Sequence, residues 1–147
     1  MPFDHERLEV YQVALDFLVV ADNIVEHLPR GRGHLADQLT RASIAIVLNI
    51  AEGAGKFSKP DKRRYYLSAV GSATESAAIL DVCHRLKLLD DDTHRSGKET
   101  LDRVVAMLVK LARSSRMGEI GCGTGSGSGS GPDSEAGPRS LISWRPR

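Results

Sequence analysis

Two apolar seams run side by side through residues 4–28, and they restrict the fold more than any other feature of the chain. Leu8, Tyr11, Leu15, Leu18 and Val25 form one seam; Val10, Ala14, Phe17, Ala21, Ile24 and Leu28 form the other. Steps of three and four keep each seam on one face of an α-helix, and together they make a stripe broader than a two-stranded coiled coil needs. A first helix is therefore expected from Asp4 to Leu28, with Asp4 as its cap, Phe3 stapled onto Leu8, and Pro29 and Gly31 ending it.

Three further helices follow. The second spans about His34–Ala54 with an inner seam of Leu35, Leu39, Ala42 and Ile46. The third starts near Ser58, where Ser58, Pro60 and Asp61 supply a cap, a first-turn proline and an acid near the positive end of the dipole. It continues to about Leu88. Gly71 in its interior suggests a close packing contact, because glycine costs roughly 1 kcal/mol relative to alanine in a helix. The fourth begins at Asp92 or Gly97 and reaches Arg116, with Leu101, Val104, Leu108 and Leu111 as its seam. No useful stretch alternates with period two. Short connections between long helices imply an all-α, antiparallel up-down four-helix bundle. Aromatics make up only 5% of the chain, so aliphatic side chains must fill the core.

The expected folding unit is residues 1–117. From residue 118 the composition turns to glycine and serine ("GTGSGSGSGP"), which reads as a flexible, disordered spacer in front of a C-terminal peptide, "SLISWRPR". That end sets Leu141, Ile142 and Trp144 among arginines, and it reads either as a tethered docking peptide or as an unselected end.

From Ile44 to Ala51 the second helix is apolar almost all round, interrupted by Asn49. Such a helix usually meets protein on every side. Self-association through Ile44, Leu48 and Ala51 is one explanation, and a more central helix is the other. Arg41 is a candidate partner for Glu75 on the third helix, and Asn49 for interior polar groups.

Net charge is +1, which carries no global mark of nucleic-acid binding. The distribution shows a local positive patch instead. Residues 1–55 have a balance of −4, whereas Lys56, Lys59, Lys62, Arg63 and Arg64 stand against Asp61 alone in residues 56–66, a balance of +4. The local sequence "NIAEGAGKFSKPDKRRYY" excludes a phosphate-binding P-loop. Ile50 stands where the first glycine belongs, Phe57 where the metal-binding hydroxyl belongs, and no strand leads in. Gly53 and Gly55 instead let the second helix end. Five cations at a helix N-terminus suit an anion such as phosphate, with Tyr65 or Tyr66 able to stack on a base. The alternative is a solvated basic turn with Tyr66 in the core.

Other chemistry is sparse. His5, His27, His34, His84 and His94 show no metal-type spacing, so no metal or cofactor is expected. Cys83 and Cys122 do not form a disulfide framework. No acid–base constellation is visible, and no enzyme is expected. With no signal peptide and no apolar run of membrane length, the expected location is cytoplasmic, without a membrane partner.

The strings "HERLEVYQVALDF" and "QLTRASIAIVLNIAEGAGKFSKPDKRRYYLSAVGSATESAAIL", with "NIAEG", Ser58 and "GSATE" as the specific parts, resemble the four-helix bundle proteins encoded in intervening sequences of bacterial large-subunit ribosomal RNA genes. The accessory variability determinant of diversity-generating retroelements shares that fold. The resemblance covers about residues 3–117. It implies a bundle that assembles into a homo-oligomeric ring, commonly a pentamer. In the retroelement branch the ring binds nucleic acid and associates with a reverse transcriptase. The functional expectation is thus a non-enzymatic oligomer that binds RNA or DNA weakly, without sequence specificity, through Lys56, Lys59, Lys62, Arg63, Arg64 and Tyr65. A scaffold docking a protein partner through its basic turn or C-terminal peptide is the alternative.

Overall fold

A computed structural model describes the protein over residues 1–115, so the expectations for the glycine-rich tail, including Cys122, lie outside the described residues. A short 3-10 turn, Asp4–Arg7, leads into α1 (Glu9–His27), α2 (Gly33–Ala54), α3 (Lys59–Arg85) and α4 (Asp91–Ser114). Each helix packs on its chain neighbours, and α1 closes the square by packing on α4. The described residues contain no strand, and the short connections make this an antiparallel up-down bundle.

The inner seams form the core. Phe17, Leu39, Ile46, Ile50, Leu80, Leu101, Val104 and Leu108 are fully buried, each such side chain contributing about 1.5–3 kcal/mol relative to an exposed one. On α1 the Val10–Ile24 seam is buried, while Leu8, Tyr11, Leu15, Leu18 and Val25 pack half-buried on its flank. A corner helix faces two neighbours, which explains a stripe of double width.

The start of α1 departs from expectation. Leu8 is extended, with ψ at 124°, and separates the 3-10 turn from the α-helix. The Phe3 backbone N–H donates to a Glu6 carboxylate oxygen at 2.8 Å. The Phe3 ring stacks on His5 and is largely exposed, so it does not staple onto Leu8. Asp4 is inside the 3-10 turn and caps nothing.

Two glycines mark close approaches, and a third does not. A Cβ at Gly53 would stand 2.9 Å from Tyr66 Cε1 and 3.0 Å from Tyr65 Cβ. A Cβ at Gly97 would stand 2.8 Å from Leu80 Cδ1. Gly53 is thus a packing residue inside α2 rather than a helix terminator. Gly71 has open space around its Cβ position, so the expected packing contact is absent within the subunit.

The α3–α4 turn carries a left-handed residue, Lys87, at φ 59°. Leu88 N–H donates to Cys83 O at 2.8 Å and Lys87 N–H to His84 O at 3.0 Å. These are the two bonds that close a helix C-terminus when the residue after the cap adopts positive φ. Cys83 beneath is fully buried; burial pushes its thiol up, against a partial offset from the Arg32 charge.

Candidate nucleic-acid interface

The α2–α3 junction is built by four local devices. Gly55 closes α2 in right-handed conformation, with Gly55 N–H on Ala51 O and Lys56 N–H on Gly53 O, each at 3.2 Å. Ser58 caps α3: its hydroxyl accepts from Asp61 N–H at 3.2 Å and donates to the Asp61 carboxylate at 2.7 Å. Tyr66 enters the core against Gly53, and burial, aided by the Asp4 charge, pushes its hydroxyl up from the ordinary tyrosine value. Lys62 reaches back from α3, and its Nζ donates to Ala54 O at 2.7 Å. This places a cation on the negative end of α2.

The five predicted cations fall in one stretch of surface but differ in what they do. Lys59 and Arg64 are exposed; Lys56, Lys62 and Arg63 are half-buried. Arg64 is within 4.0 Å of Asp61. Lys56 Nζ is 5.0 Å, and Arg64 Cζ 5.1 Å, from the centre of the Tyr65 ring. Tyr65 is therefore engaged with two cations of its own chain, each such contact contributing roughly 0.5–1 kcal/mol at an exposed site. Arg63 Nε is enclosed without a hydrogen-bond partner. Phe57, which sequence reasoning noted only as the wrong residue for a P-loop, is fully exposed in the middle of the turn. Its signal was an aromatic residue between a glycine and a helix cap, where no apolar seam asks for one.

A second surface lies on α1 and α2. Val19 is 70% exposed, Ile44 40% and Leu48 56%, and Ala51 is half-buried one turn on. Val19 and Ile44 line one shallow pocket of about 350 Å3 with Leu18 and Thr40. The three large apolar side chains are the residue type that a monomer ordinarily covers.

The expected interior polar contacts are corrected. Arg41 and Glu75 are both exposed and do not pair with one another. Arg41 precedes buried Ala42, and Glu75 precedes buried Ser76, so each is turned about 100° away from the buried face of its helix. Asn49 is half-buried and satisfies itself locally, its Nδ2 donating to Ala45 O at 2.9 Å.

Sequence reasoning also missed a polar cluster at the opposite end of α3. His84 Nε2 is 2.6 Å from Asp91 Oδ1, His94 Nε2 is 2.8 Å from Asp81 Oδ1, and Lys98 Nζ holds both Asp81 oxygens at 2.8 Å. No group of three or more His, Cys, Asp or Glu side chains among the described residues is arranged to hold a metal ion. No helix among them is long and apolar enough to cross a membrane.

Residues 6–110 match the model of a family described as 23S rRNA-intervening sequence protein. Among curated proteins, none matches the sequence. Among solved structures, the fold is similar to a Bacteroides thetaiotaomicron protein of unknown function from the S23 ribosomal protein family. The TM-score is 0.66 at 20% identity, over 71% of this chain and 95% of that one. At that identity the likeness concerns the fold.

Proposed function

The chain belongs to the 23S rRNA-intervening sequence protein family, and from that premise we propose that it is a non-enzymatic homo-oligomer that binds RNA or DNA through the α2–α3 turn. The observation that carries the reading is Phe57, fully exposed amid Lys56, Lys59, Arg63 and Arg64 at the N-terminus of α3. Cations and a helix N-terminus attract phosphate, and an unburied aromatic ring offers a stacking platform to an unpaired base. Phe57 takes the stacking role, because Tyr65 is already flanked by Lys56 and Arg64. Phosphate contacts orient a nucleic acid without reading it, so the binding has little base specificity.

Copies associate through the face formed by Val19, Ile44 and Leu48, in a ring such as the resemblance to intervening-sequence proteins implies. Repetition of the basic turn around an assembly converts weak single contacts into salt-sensitive, multivalent attachment. The site of action is the cytoplasm, where RNA is available as partner.

The test is retention of a mixed RNA pool at rising salt, with subunit mass measured in the same sample. Expected are binding at low salt, a salt slope that shallows by about 0.7 for each phosphate that a removed cation leaves unneutralised, and abolished binding in the Phe57→Ala, Lys59→Ala, Arg64→Ala triple variant. A protein that ignores RNA at low salt, or a triple variant that binds as the parent does, ends the nucleic-acid reading. A subunit that stays monomeric at high concentration ends the assembly reading.

A further inference from the structure

On the opposite pair of helices, α3 and α4 enclose an open groove of about 340 Å3. Thr74, Ala77 and Ala78 line its α3 side, and Leu101 and Val105 its α4 side, with Asp102 at the rim. It is a groove because α3 presents small side chains where α4 presents branched ones. The lining is mostly apolar, and Ala78 and Thr74 are exposed beside it. Asp102 is exposed and makes no ion pair among the described residues, whereas the rim's Asp81 is already held by Lys98 and His94. The groove therefore offers an apolar floor and, beside the Lys98–Asp81 pair that also lines it, one carboxylate with no ion pair among the described residues.

The same chain carries a segment of complementary chemistry. Residues 139–147 set Leu141, Ile142 and Trp144, the only tryptophan in the protein, among Arg139, Arg145 and Arg147. A seated tryptophan buries on the order of 150–250 Å2 of its own surface. The tether is long enough. Val105 precedes the end of α4 at Ser114 by roughly 13–14 Å along the axis. A Gly/Ser-rich stretch of the length of residues 116–139 spans roughly 25–30 Å. A segment so linked meets its groove at an effective concentration on the order of millimolar. We infer that residues 141–147 dock in cis into the α3–α4 groove, with Trp144 between Ala77, Ala78 and Val105 and an arginine on Asp102. The observation behind it is the pairing of an apolar, acid-rimmed groove with an apolar, arginine-bearing segment within tether length.

Trp144 reads its own environment, because no other tryptophan contributes to the emission. In the full chain its fluorescence is expected to be blue-shifted and several-fold less quenched by acrylamide than in a synthetic peptide of residues 139–147. Ala78→Arg is expected to return both readings to the peptide values with helical circular dichroism unchanged. Asp102→Lys, also at an exposed position, is expected to do so in part. The parent signal should persist through about a hundredfold dilution, as an intramolecular contact does. Peptide-like emission in the full chain overturns the proposal, as does a shift that survives both variants. A shift that disappears on dilution overturns it too, since the segment then sits on another copy.

Discussion

His84 and His94 lie face to face across the α3–α4 turn, their ring centroids 4.1 Å apart and their planes 6° from parallel. Each imidazole bonds a carboxylate of the other's helix: His84 on α3 meets Asp91 on α4, and His94 on α4 meets Asp81 on α3. This reciprocal crossing, with Lys98 added on Asp81, ties the hairpin at the end remote from the basic turn.

The tie gives the bundle an acid limb. Burial pushes the Asp81 carboxyl up, but hydrogen bonds from Lys98 and His94 and their charges outweigh it and hold the group below the usual carboxylate range. Asp91 is held low by the His84 hydrogen bond and charge. A carboxylate whose folded pKa lies below its unfolded value of about 3.9 stabilises the fold above that pH and loses the contribution as pH falls through the folded value. Asp81→Asn should therefore cost about 0.5–1 kcal/mol at neutral pH, discounted for its exposure. Urea midpoints of variant and parent should converge as pH falls through the lowered Asp81 value.

Lys87→Gly should stabilise the protein. A non-glycine residue in left-handed conformation costs about 1–2 kcal/mol, and glycine returns part of that in unfolded-chain entropy. The expected net gain is roughly 1 kcal/mol, or several degrees in Tm for a domain of this size. Thermal unfolding followed by circular dichroism checks it.

Alanine at two helical glycines should act in opposite directions. Gly71→Ala meets open space and should gain about 1 kcal/mol from helix propensity. Gly53→Ala receives the same propensity gain, but its Cβ collides with the Tyr66 ring and Tyr65 Cβ, and overpacking of this kind costs about 1–3 kcal/mol. Denaturant midpoints should rise for the first and fall for the second.

Arg63→Met separates binding from stability. The enclosed Arg63 Nε lacks a partner, and removing such a donor while keeping the aliphatic stem should gain roughly 1 kcal/mol. RNA retention at low salt should fall in the same variant, since one of the cations on the turn is gone. Unfolding and filter-binding measurements on one preparation check both.

What the sequence disclosed was local or periodic. The buried faces of all four helices follow from three-and-four spacing, and Ser58, Pro60 and Asp61 mark the start of α3 because a cap is a relationship within four residues. The break at Leu8 was hidden, because the apolar pattern runs through it while the Phe3–Glu6 bond decides the local geometry. Gly53 read as a terminator because only the folded neighbour, Tyr66, shows why a side chain there is excluded. Arg41 and Glu75 looked like partners because opposite charges on adjacent helices do; their angular position about each axis decides otherwise. At the candidate interface the cluster of cations was plain, but the split between Lys62 as scaffold and Lys59 and Arg64 as exposed charge was not. That split depends on which side chain happens to reach the last carbonyls of α2. The stacked histidines, ten positions apart across a turn, have no linear signature.

The bond from Lys62 to Ala54 O has an evolutionary corollary. Position 62 is obliged to keep a long cation by the architecture of the corner, whatever the ligand. Under the proposed binding role, a lineage that tunes its grip on a polyanion is left to do so at 59 and 64, so drift among relatives should be read there for shifts in affinity and at 62 for the integrity of the corner itself.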